Sequence, residues 1–480
     1  MSNSVKSSIV KGSVWSMAGQ LLIMSTSLLA YIVLARMLTP TDFGKIGIIM
    51  VFINITYVLT EGGLSAALVR KTDASDRDYS TVFVFNFIIG IVGFLLISGF
   101  AGVISNIYGD QSLRFPLIVS AFILIVNSFQ FVQTTKLTVE MRFKEKSIYE
   151  FSAVILSSIA GVVAAYFGLH VWSIVVMQLS RAVFLSIIFF IFEKYHYGFN
   201  FSKESFKELY AFGVNTSLSS LINITFDNIY QLILGAYFSI SQVGYYYQAK
   251  KIQDVPTGLF NILSQVPIYA GLAKMQHEKD KFINAYNQVS ALMLSLTGII
   301  AACFYIFSDD IIVMLFGQNW LEAGFYLKFL CVSSFFITQE NLNRVIFKIF
   351  NKTRSLLILE VLKKVVQIIS IFVGIYFEDI QLLLIGIIVS NAFGYFINYF
   401  IANKILNHPE YKELNYTLTV SAVILGTVFL AELAKDYFAI EGINLLLLLF
   451  AAVIVYMVSL KILGMIDPKK QFKDLLTMLK

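Results

Sequence analysis

Residues 12–35 read GSVWSMAGQLLIMSTSLLAYIVLA, a stretch without one charged side chain. The segments 79–109, 282–308 and 380–403 are free of charge as well. About 20 consecutive apolar residues span the hydrocarbon core of a membrane as an α-helix. A helix also satisfies its backbone hydrogen bonds internally, which the hydrocarbon core requires. These stretches therefore predict an all-α integral membrane protein.

The composition of the whole chain agrees with this prediction. Of its 480 residues, 58% are hydrophobic and 14% are charged, and the mean hydropathy is +0.76. Soluble domains average about 25% charged residues. We predict about fourteen transmembrane helices, at 12–38, 43–69, 79–106, 113–139, 147–168, 171–193, 208–238, 242–273, 281–307, 322–350, 355–377, 379–403, 415–435 and 441–463.

The basic residues fall on one side of this arrangement. With the N-terminus placed in the cytoplasm, the cytoplasmic connectors and ends hold 24 of the 36 Lys and Arg residues, and the outer connectors hold four. Short cytoplasmic loops of membrane proteins collect Lys and Arg in this way. One miscounted helix would invert every later connector, so the pattern supports an even helix count and two cytoplasmic termini.

The sequence predicts neither a nucleic-acid partner nor a catalytic centre. The net charge of +6 is dispersed over many short loops. Cys303 and Cys331 lie in apolar segments without metal-ligand spacing, and the four His residues are scattered. Nucleotide-binding and metalloprotease motifs do not occur in the sequence. We therefore expect no nucleic-acid partner, no cofactor, no metal and no catalytic residue.

The longest polar connector divides the chain after the sixth predicted helix. We predict an N-terminal lobe at 1–193 (helices 1–6), a cytoplasmic linker at 194–207, a C-terminal lobe at 208–403 (helices 7–12), helices 13 and 14 at 404–463, and a basic cytoplasmic tail at 464–480. The tail is expected to form a short amphipathic helix on the membrane surface.

An internal repeat occurs at an offset of 200 residues. The segment 34–44, LARMLTPTDFG, aligns with 234–244, LGAYFSISQVG. Six helices separate the copies, and an even number keeps their orientation the same. Such parallel repeats predict two six-helix lobes around a central cavity, with two extra C-terminal helices. Polar residues recur at the same offset: Ser16, Gln20, Ser27, Tyr31, Asn54, Glu61 and Ser65 match Thr216, Ser220, Asp227, Gln231, Asp254, Asn261 and Gln265.

The segment 34–44 resembles the first helix–helix turn of bacterial flippases for O-antigen and exopolysaccharide. These proteins form the polysaccharide branch of the multidrug/oligosaccharidyl-lipid/polysaccharide exporter superfamily. The segments 67–71 (ALVRK), 235–247 and 316–320 (FGQNW) fit as well. The resemblance implies a V-shaped cavity between two lobes in the bacterial inner membrane. It also implies that a polyprenyl-diphosphate-linked oligosaccharide is flipped from the cytoplasmic to the outer leaflet, with membrane lipid, a glycan polymerase and chain-length machinery as further partners.

Arg181 is the sharpest candidate for contact with a diphosphate. It lies near the middle of predicted helix 6, where a charge is expensive and is a functional candidate. A guanidinium binds phosphate through two parallel hydrogen bonds. The alternative is a structural ion pair with Glu61 or Asp227.

Further cations and polar residues are candidates for the same cavity. Lys250, Lys251 and Lys328 are placed to meet an anionic head group. Predicted helix 7 carries Asn215, Ser219, Asn223, Asp227 and Gln231 at four-residue steps. We expect the glycan to be bound by Gln20, Asn54, Asn223, Gln231 and Asn261, although interhelical hydrogen bonding would also explain the row on helix 7.

Two other sets of charged residues are predicted to bind a coupling ion or to form ion pairs. If transport is coupled to a proton or to sodium, the candidate ion sites are Glu61, Asp227 and Asp254. Three pairs at i,i+4 spacing are expected to be simple ion pairs within one helix. They are Lys136 with Glu140, Glu340 with Arg344, and Glu360 with Lys364.

Three other functions compete with the flippase interpretation. A multidrug/cation antiporter of the same superfamily would need an acidic cavity, whereas the deep charges here are mostly basic. A flippase for a peptidoglycan lipid precursor would differ mainly in its glycan. A membrane enzyme would need a reactive group of His or acidic residues or a large outer loop, and the predicted outer loops are short.

Overall fold

A computed structural model describes residues 3–71, 73–193, 198–406, 412–438 and 444–464. The predicted surface helix in the tail therefore lies outside the described residues, as do 194–197 of the predicted linker. The chain divides into two compact units, Met1–Tyr247 and Gln248–Lys480. The predicted lobe boundary at 194–207 differs from this division and stays a prediction.

The regular secondary structure in the described residues of the first unit is helical. Its elements are α1 (Asn3–Met37), α2 (Pro40–Glu61), α3 (Leu64–Arg70), α4 (Asp76–Ile107), α5 (Arg114–Ala121), α6 (Ile123–Val139), α7 (Phe143–Tyr166), α8 (Val171–Phe192), α9 (Lys203–Tyr237) and the start of α10 (Ile240–Leu263).

The second unit is helical in the same way. It contains the rest of α10, then α11 (Tyr269–Lys274), α12 (Lys279–Ile306), α13 (Ser308–Phe316), α14 (Glu322–Ile349), α15 (Thr353–Tyr376), α16 (Ile380–Leu406), α17 (Lys412–Phe438) and α18 (Asn444–Ile462). Each of the fourteen predicted spans corresponds to one or more of these helices. Among the described residues, nine helices are long and apolar enough by length and composition to cross a membrane. The predicted all-α membrane fold is confirmed.

Two predicted spans are interrupted at matching places in the repeat. The predicted helix at 43–69 breaks at Gly62 and Gly63, whose φ angles of 59° and 63° are left-handed, a conformation open to glycine. The predicted helix at 242–273 changes to a π-helical turn at Ser264–Ile268, which contains Pro267. Proline removes a backbone donor and so disturbs the helix. The two copies thus interrupt the same helix by different means.

The repeat itself is visible in the helix bounds and in the contacts of its two turns. α1 and α9 begin and end at the same offset of 200, and so do the starts of α2 and α10. The Oγ1 of Thr41 lies 2.9 Å from the Oγ of its repeat partner Ser241.

Two glycines of the repeat make reciprocal contacts at these turns. A Cβ on Gly44 would collide with the carbonyl of Ile240, and a Cβ on Gly244 would collide with the carbonyl of Pro40. Reciprocal contacts between equivalent residues are the mark of a local two-fold relation.

Candidate substrate cavity

A cavity of about 620 Å³ opens inside the first unit. Residues of α1, α2, α3, α6, α7 and α8 line it, and many of these residues are polar. The cavity brings together four of the predicted site residues, Gln20, Asn54, Glu61 and Arg181. A polar cavity of this size within membrane-spanning helices offers hydrogen bonds to a ligand that lipid could not.

Arg181 projects from α8, and its side chain is exposed and lines the cavity. The guanidinium has no hydrogen bond or ion pair within 4.0 Å among the described residues, so the predicted alternative, a structural pair with Glu61 or Asp227, is not formed in this conformation. Glu61 also lacks such a partner among the residues that the structure describes. Both charges are thus available to a ligand or to water.

The neighbours of Arg181 on α8 are held by hydrogen bonds to other helices. Gln178, one turn before it, donates from Nε2 to the hydroxyl of Tyr31 on α1 at 2.8 Å. Gln130 on α6 donates to the carbonyl of Ala182 at 2.6 Å and to the Oγ of Ser186 at 2.9 Å. These bonds orient α8, so the position of the guanidinium is set by three helices.

The sequence reasoning missed several residues of this cavity. Glu150 and Lys146 on α7 both line it. Glu150 has no ion pair in the described part of the chain, and Lys146 donates to Thr138 at 3.3 Å. α6 contributes a polar row, Asn127, Gln130, Thr134 and Thr138. The spacing of three, four and four residues is the signal that could have revealed this row from the sequence.

Other predicted site residues lie outside this cavity. Asn223 and Asp227 are exposed on α9, whereas Gln231 is buried. Asn261 and Asp254 are exposed on α10, and Lys251 is half-buried there. Their predicted roles stay predictions.

The other two predicted cations have acidic partners. The Nζ of Lys250 lies 3.8 Å from a carboxylate oxygen of Asp254. Lys328 lies 2.9 Å from Asp309 and borders a second, largely apolar cavity of about 610 Å³ in the second unit, between α12, α14, α16 and α17.

A group of charges around the buried Glu340 joins α14 and α15 of the second unit. We call it the charge cluster and define it as Glu340, Arg344, Glu360 and Lys363. The predicted pair between Glu340 and Arg344 is present at 3.3 Å, and Lys363 donates to Glu340 at 2.6 Å. Glu360 contacts Arg344 on the neighbouring helix, a contact that helix spacing did not predict. Of the other predicted pairs, Lys136 and Glu140 lie 3.8 Å apart.

Ion pairs outside the membrane-spanning segments connect helix ends. Arg142 donates through both terminal nitrogens to Glu193, each at 2.9 Å, and this hydrogen bonding raises the pKa of the guanidinium. Lys71, just after α3, donates to Glu208 on α9 at 3.0 Å, which raises the pKa of the Lys71 amine. Such bidentate and bridging pairs stabilise the geometry of the bundle.

The helical fold and its polar cavity define a multi-pass membrane transporter. Residues 33–325 match the family model described as "Polysaccharide biosynthesis protein". This match covers more than half of the sequence, and the chain belongs to that family. The predicted relationship to polysaccharide flippases is thereby confirmed.

Individual relatives agree with this family. The lipopolysaccharide biosynthesis protein WzxC of Escherichia coli (strain K12) is 24% identical over 339 residues, which cover 68% of this chain and 67% of the relative. The teichuronic acid biosynthesis protein TuaB of Bacillus subtilis (strain 168) is 23% identical over 329 residues, which cover 67% of each. Among solved structures, the lipid II flippase MurJ in an inward closed conformation has a TM-score of 0.72 at 15% identity, with 97% of this chain and 100% of that chain covered. This last likeness shows the fold.

Proposed function

We propose that this protein flips a polyprenyl-diphosphate-linked oligosaccharide from the cytoplasmic to the outer leaflet of the bacterial inner membrane by alternating access. Arg181 carries the proposal, because it is a permanent cation with no ion pair within 4.0 Å among the described residues and it faces a polar cavity that it shares with Glu150. A diphosphate requires such a cation, and the fork of the guanidinium suits it. Gln20, Asn54 and the polar row of α6 then offer hydrogen bonds to sugar hydroxyls.

The rest of the substrate and the energy source fit the same scheme. We propose that the prenyl tail stays in lipid along the apolar helices α17 and α18. Glu61 lies in the polar cavity without an ion pair among the described residues, and it is the best placed of the predicted coupling sites, ahead of Asp227 and Asp254. We propose that its protonation or a bound sodium ion accompanies the return of the empty carrier.

The contact between the two repeat turns supplies a gate in this proposal. With both termini in the cytoplasm, the turn after α1 and the turn after α9 lie on the outer side of the membrane. These turns are in contact through Thr41, Ser241, Gly44 and Gly244, and we propose that this contact is the closed outer gate. Release of the glycan to the outside would then require these turns to separate.

Two alternatives remain within the superfamily. A peptidoglycan-precursor flippase is favoured by the likeness in fold to MurJ, and it differs in the glycan that it carries. A cation antiporter would use Glu61 and Glu150, which line the same cavity. We propose transport and no enzymatic step, with glycan polymerase and chain-length machinery acting afterwards.

The decisive experiment measures lipid-linked oligosaccharide in cells that carry Arg181→Ala. Loss of one charge-assisted phosphate contact costs about 1.5–3 kcal/mol, which is a fall in flipping of roughly 10-fold to 100-fold. Labelled glycan should remain inaccessible from outside, and mass analysis of the trapped unit identifies its sugars. Arg114→Ala, at the start of α5 and outside the cavity, is the matched control. Undiminished flipping with Arg181→Ala would remove the cavity cation from the mechanism, and altered drug tolerance with normal glycan exposure would favour the antiporter.

A further inference from the structure

A second buried carboxyl group stands apart from the charge cluster and from the polar cavity. Glu413 is the second residue of α17 and is 3% exposed. Its Oε2 lies 2.9 Å from the hydroxyl of Tyr286 on α12, and its Oε1 lies 3.0 Å from the Nδ2 of Asn343 on α14. Among the described residues, no Lys, Arg or His comes within 4.0 Å of this carboxyl group. An ionised carboxylate in such a place would be costly.

The hydrogen-bond partners of Glu413 also contact each other. The hydroxyl of Tyr286 lies 2.7 Å from the Oδ1 of Asn343. Tyr286 has a single hydroxyl proton, so it can donate to Asn343 or to Glu413 but not to both. If Glu413 is ionised, the single Tyr286 proton lies either between Tyr286 and Asn343 or between Tyr286 and Glu413. The other pair of oxygen atoms is then in close contact without a hydrogen atom between them. Exchanging the nitrogen and oxygen of the Asn343 amide does not help, because the bare contact then falls between Asn343 and Glu413.

One proton on Glu413 removes this conflict. The carboxyl group then donates to Tyr286, Tyr286 donates to Asn343, and Asn343 donates to the other oxygen of Glu413. Each of the three groups gives one hydrogen bond and accepts one within a closed ring. Buried polar groups are almost always satisfied in this way.

The groups around the ring carry no positive charge that could replace the proton. Tyr395 of α16 also faces the Glu413 carboxyl group. Thr417 donates its proton to the backbone carbonyl of Glu413 at 2.9 Å, so the Tyr395 hydroxyl donates to Thr417 at 2.7 Å. Tyr399 is the other titratable group of α16 near the ring. On α14, Glu340 lies one turn from Asn343 but belongs to the charge cluster. Lys412, adjacent to Glu413 in sequence, is exposed.

From this geometry we infer that Glu413 is a proton-binding site, neutral in this conformation, which holds the start of α17 against α12 and α14. Its ligand is a proton taken from water at the start of α17. Loss of the proton breaks the ring and leaves a buried anion, so the start of α17 leaves its place on α12 and α14. The inference does not depend on the substrate of the polar cavity.

Infrared difference spectroscopy of the full chain in lipid nanodiscs tests the inference directly. The wild type should show the C=O band of a protonated carboxylic acid at neutral pH, and Glu413→Gln should lack it. Glu340→Gln is the matched control and should keep the band, because Glu340 is paired with two cations. A band that is absent from the wild type, or unchanged in Glu413→Gln, would overturn the inference.

Thermal unfolding against pH provides a second test that a folding defect cannot imitate. A Gln carboxamide can donate to Tyr286 and accept from Asn343, so Glu413→Gln copies the neutral ring. At low pH, we expect this variant to unfold at the same temperature as the wild type. As pH rises, the unfolding temperature of the wild type should fall, whereas that of Glu413→Gln should stay constant. Tyr286→Phe removes the acceptor of the proton and should shift the carboxylic band to higher frequency. Equal pH profiles for Glu413→Gln and wild type would contradict the proposal.

Discussion

The polar cavity of the first unit and the charge cluster of the second unit both hold acidic and basic side chains within helices predicted to span the membrane. In the cavity, Glu61, Glu150 and Arg181 have no ion pair among the described residues. In the cluster, Glu340 is 2% exposed and contacts two cations, Arg344 one turn away on α14 and Lys363 on α15. The difference teaches that a charge within a membrane helix is not by itself a sign of function. A nearby charge of opposite sign makes the difference, because an ion-paired side chain is neutralised whether or not a substrate is present.

Packing explains why the two regions differ. In the second unit, α16 approaches the cluster through Gly394, where a Cβ would come within 2.8 Å of both Glu340 and Lys363. This close approach leaves no room for a ligand. The first unit instead keeps an open volume around Arg181, so water or a substrate can solvate its charges.

The largest expected effect comes from breaking a pair in the cluster. Lys363→Met leaves the buried carboxylate of Glu340 with one cation fewer and should lower the free energy of unfolding by about 3–5 kcal/mol. Thermal unfolding of the purified protein in lipid measures it. The double variant Glu340→Gln, Lys363→Met should recover much of the loss, since no buried charge is then stranded. Wild-type stability of the single variant would refute the structural role of the cluster.

A smaller effect, and one of a different kind, is expected in the cavity. Arg181→Ala should leave the thermal unfolding temperature unchanged, because no described residue loses an ion pair, while glycan flipping falls by roughly 10-fold to 100-fold. Thermal unfolding and glycan accessibility, measured on the same preparation of cells, distinguish a loss of stability from a loss of transport. A variant that unfolds early would show that Arg181 is structural and would erase the contrast between the two regions.

The contrast between cavity and cluster is drawn for a conformation in which the two repeat turns are in contact, so the next variant tests that contact. Gly244→Ala places a methyl group against the carbonyl of Pro40 and should cost about 1–3 kcal/mol of that contact. Crosslinking of a Thr41→Cys, Ser241→Cys pair, with and without Gly244→Ala, measures the contact. Gly99→Ala is the control, because nothing lies within 4 Å of its added Cβ. Equal crosslinking with all three backgrounds would show that the two glycines do not set the approach.

The smallest effect is expected for an ion pair between the start of α2 and the connector that follows α4. Lys45 lies 2.9 Å from Asp110. Burial alone would raise the pKa of Asp110, but hydrogen bonds from Ser112 and Lys45 outweigh it and hold the pKa below its ordinary value. The pair therefore contributes above the unfolded pKa of about 3.9, and the contribution is lost as pH falls through the lower folded value.

Asp110→Asn should accordingly cost about 0.2–1 kcal/mol at neutral pH and nothing in strong acid. Thermal unfolding at two pH values checks this, with Lys45→Met as the partner variant. A loss as large as that of Lys363→Met would show that exposure does not separate weak pairs from strong ones.

The sequence predicted most of the fold. Apolar segments of membrane-spanning length predicted the helices, and the offset of 200 placed the repeat, whereas the orientation inferred from Lys and Arg stays a prediction. The interruption at Gly62 and Gly63 was missed, because the apolar pattern runs on through it and only the glycine pair signals a break. The π-helical turn at Ser264–Ile268 was missed although Pro267 marks it.

The candidate site was predicted in part. Arg181 was found because its charge is isolated in an apolar segment, and Glu61 because it belongs to the repeated polar set. Glu150 was not found, since it follows Lys146 by one turn and looks like half of an ordinary helical pair. The ring of Glu413 was not found either, because its partners are 127 and 70 residues away in the sequence.

The sequence by itself determined that this chain is a helical membrane protein with a parallel repeat, because hydrophobicity and periodicity are local properties that every span carries in its own residues. Only the tertiary structure decided which charges are paired between helices. Lys363 reaches Glu340 from another helix, whereas Arg181 has no ion pair within 4.0 Å among the described residues. Pairing depends on distances between helices that are far apart in the chain, and no single segment records those distances.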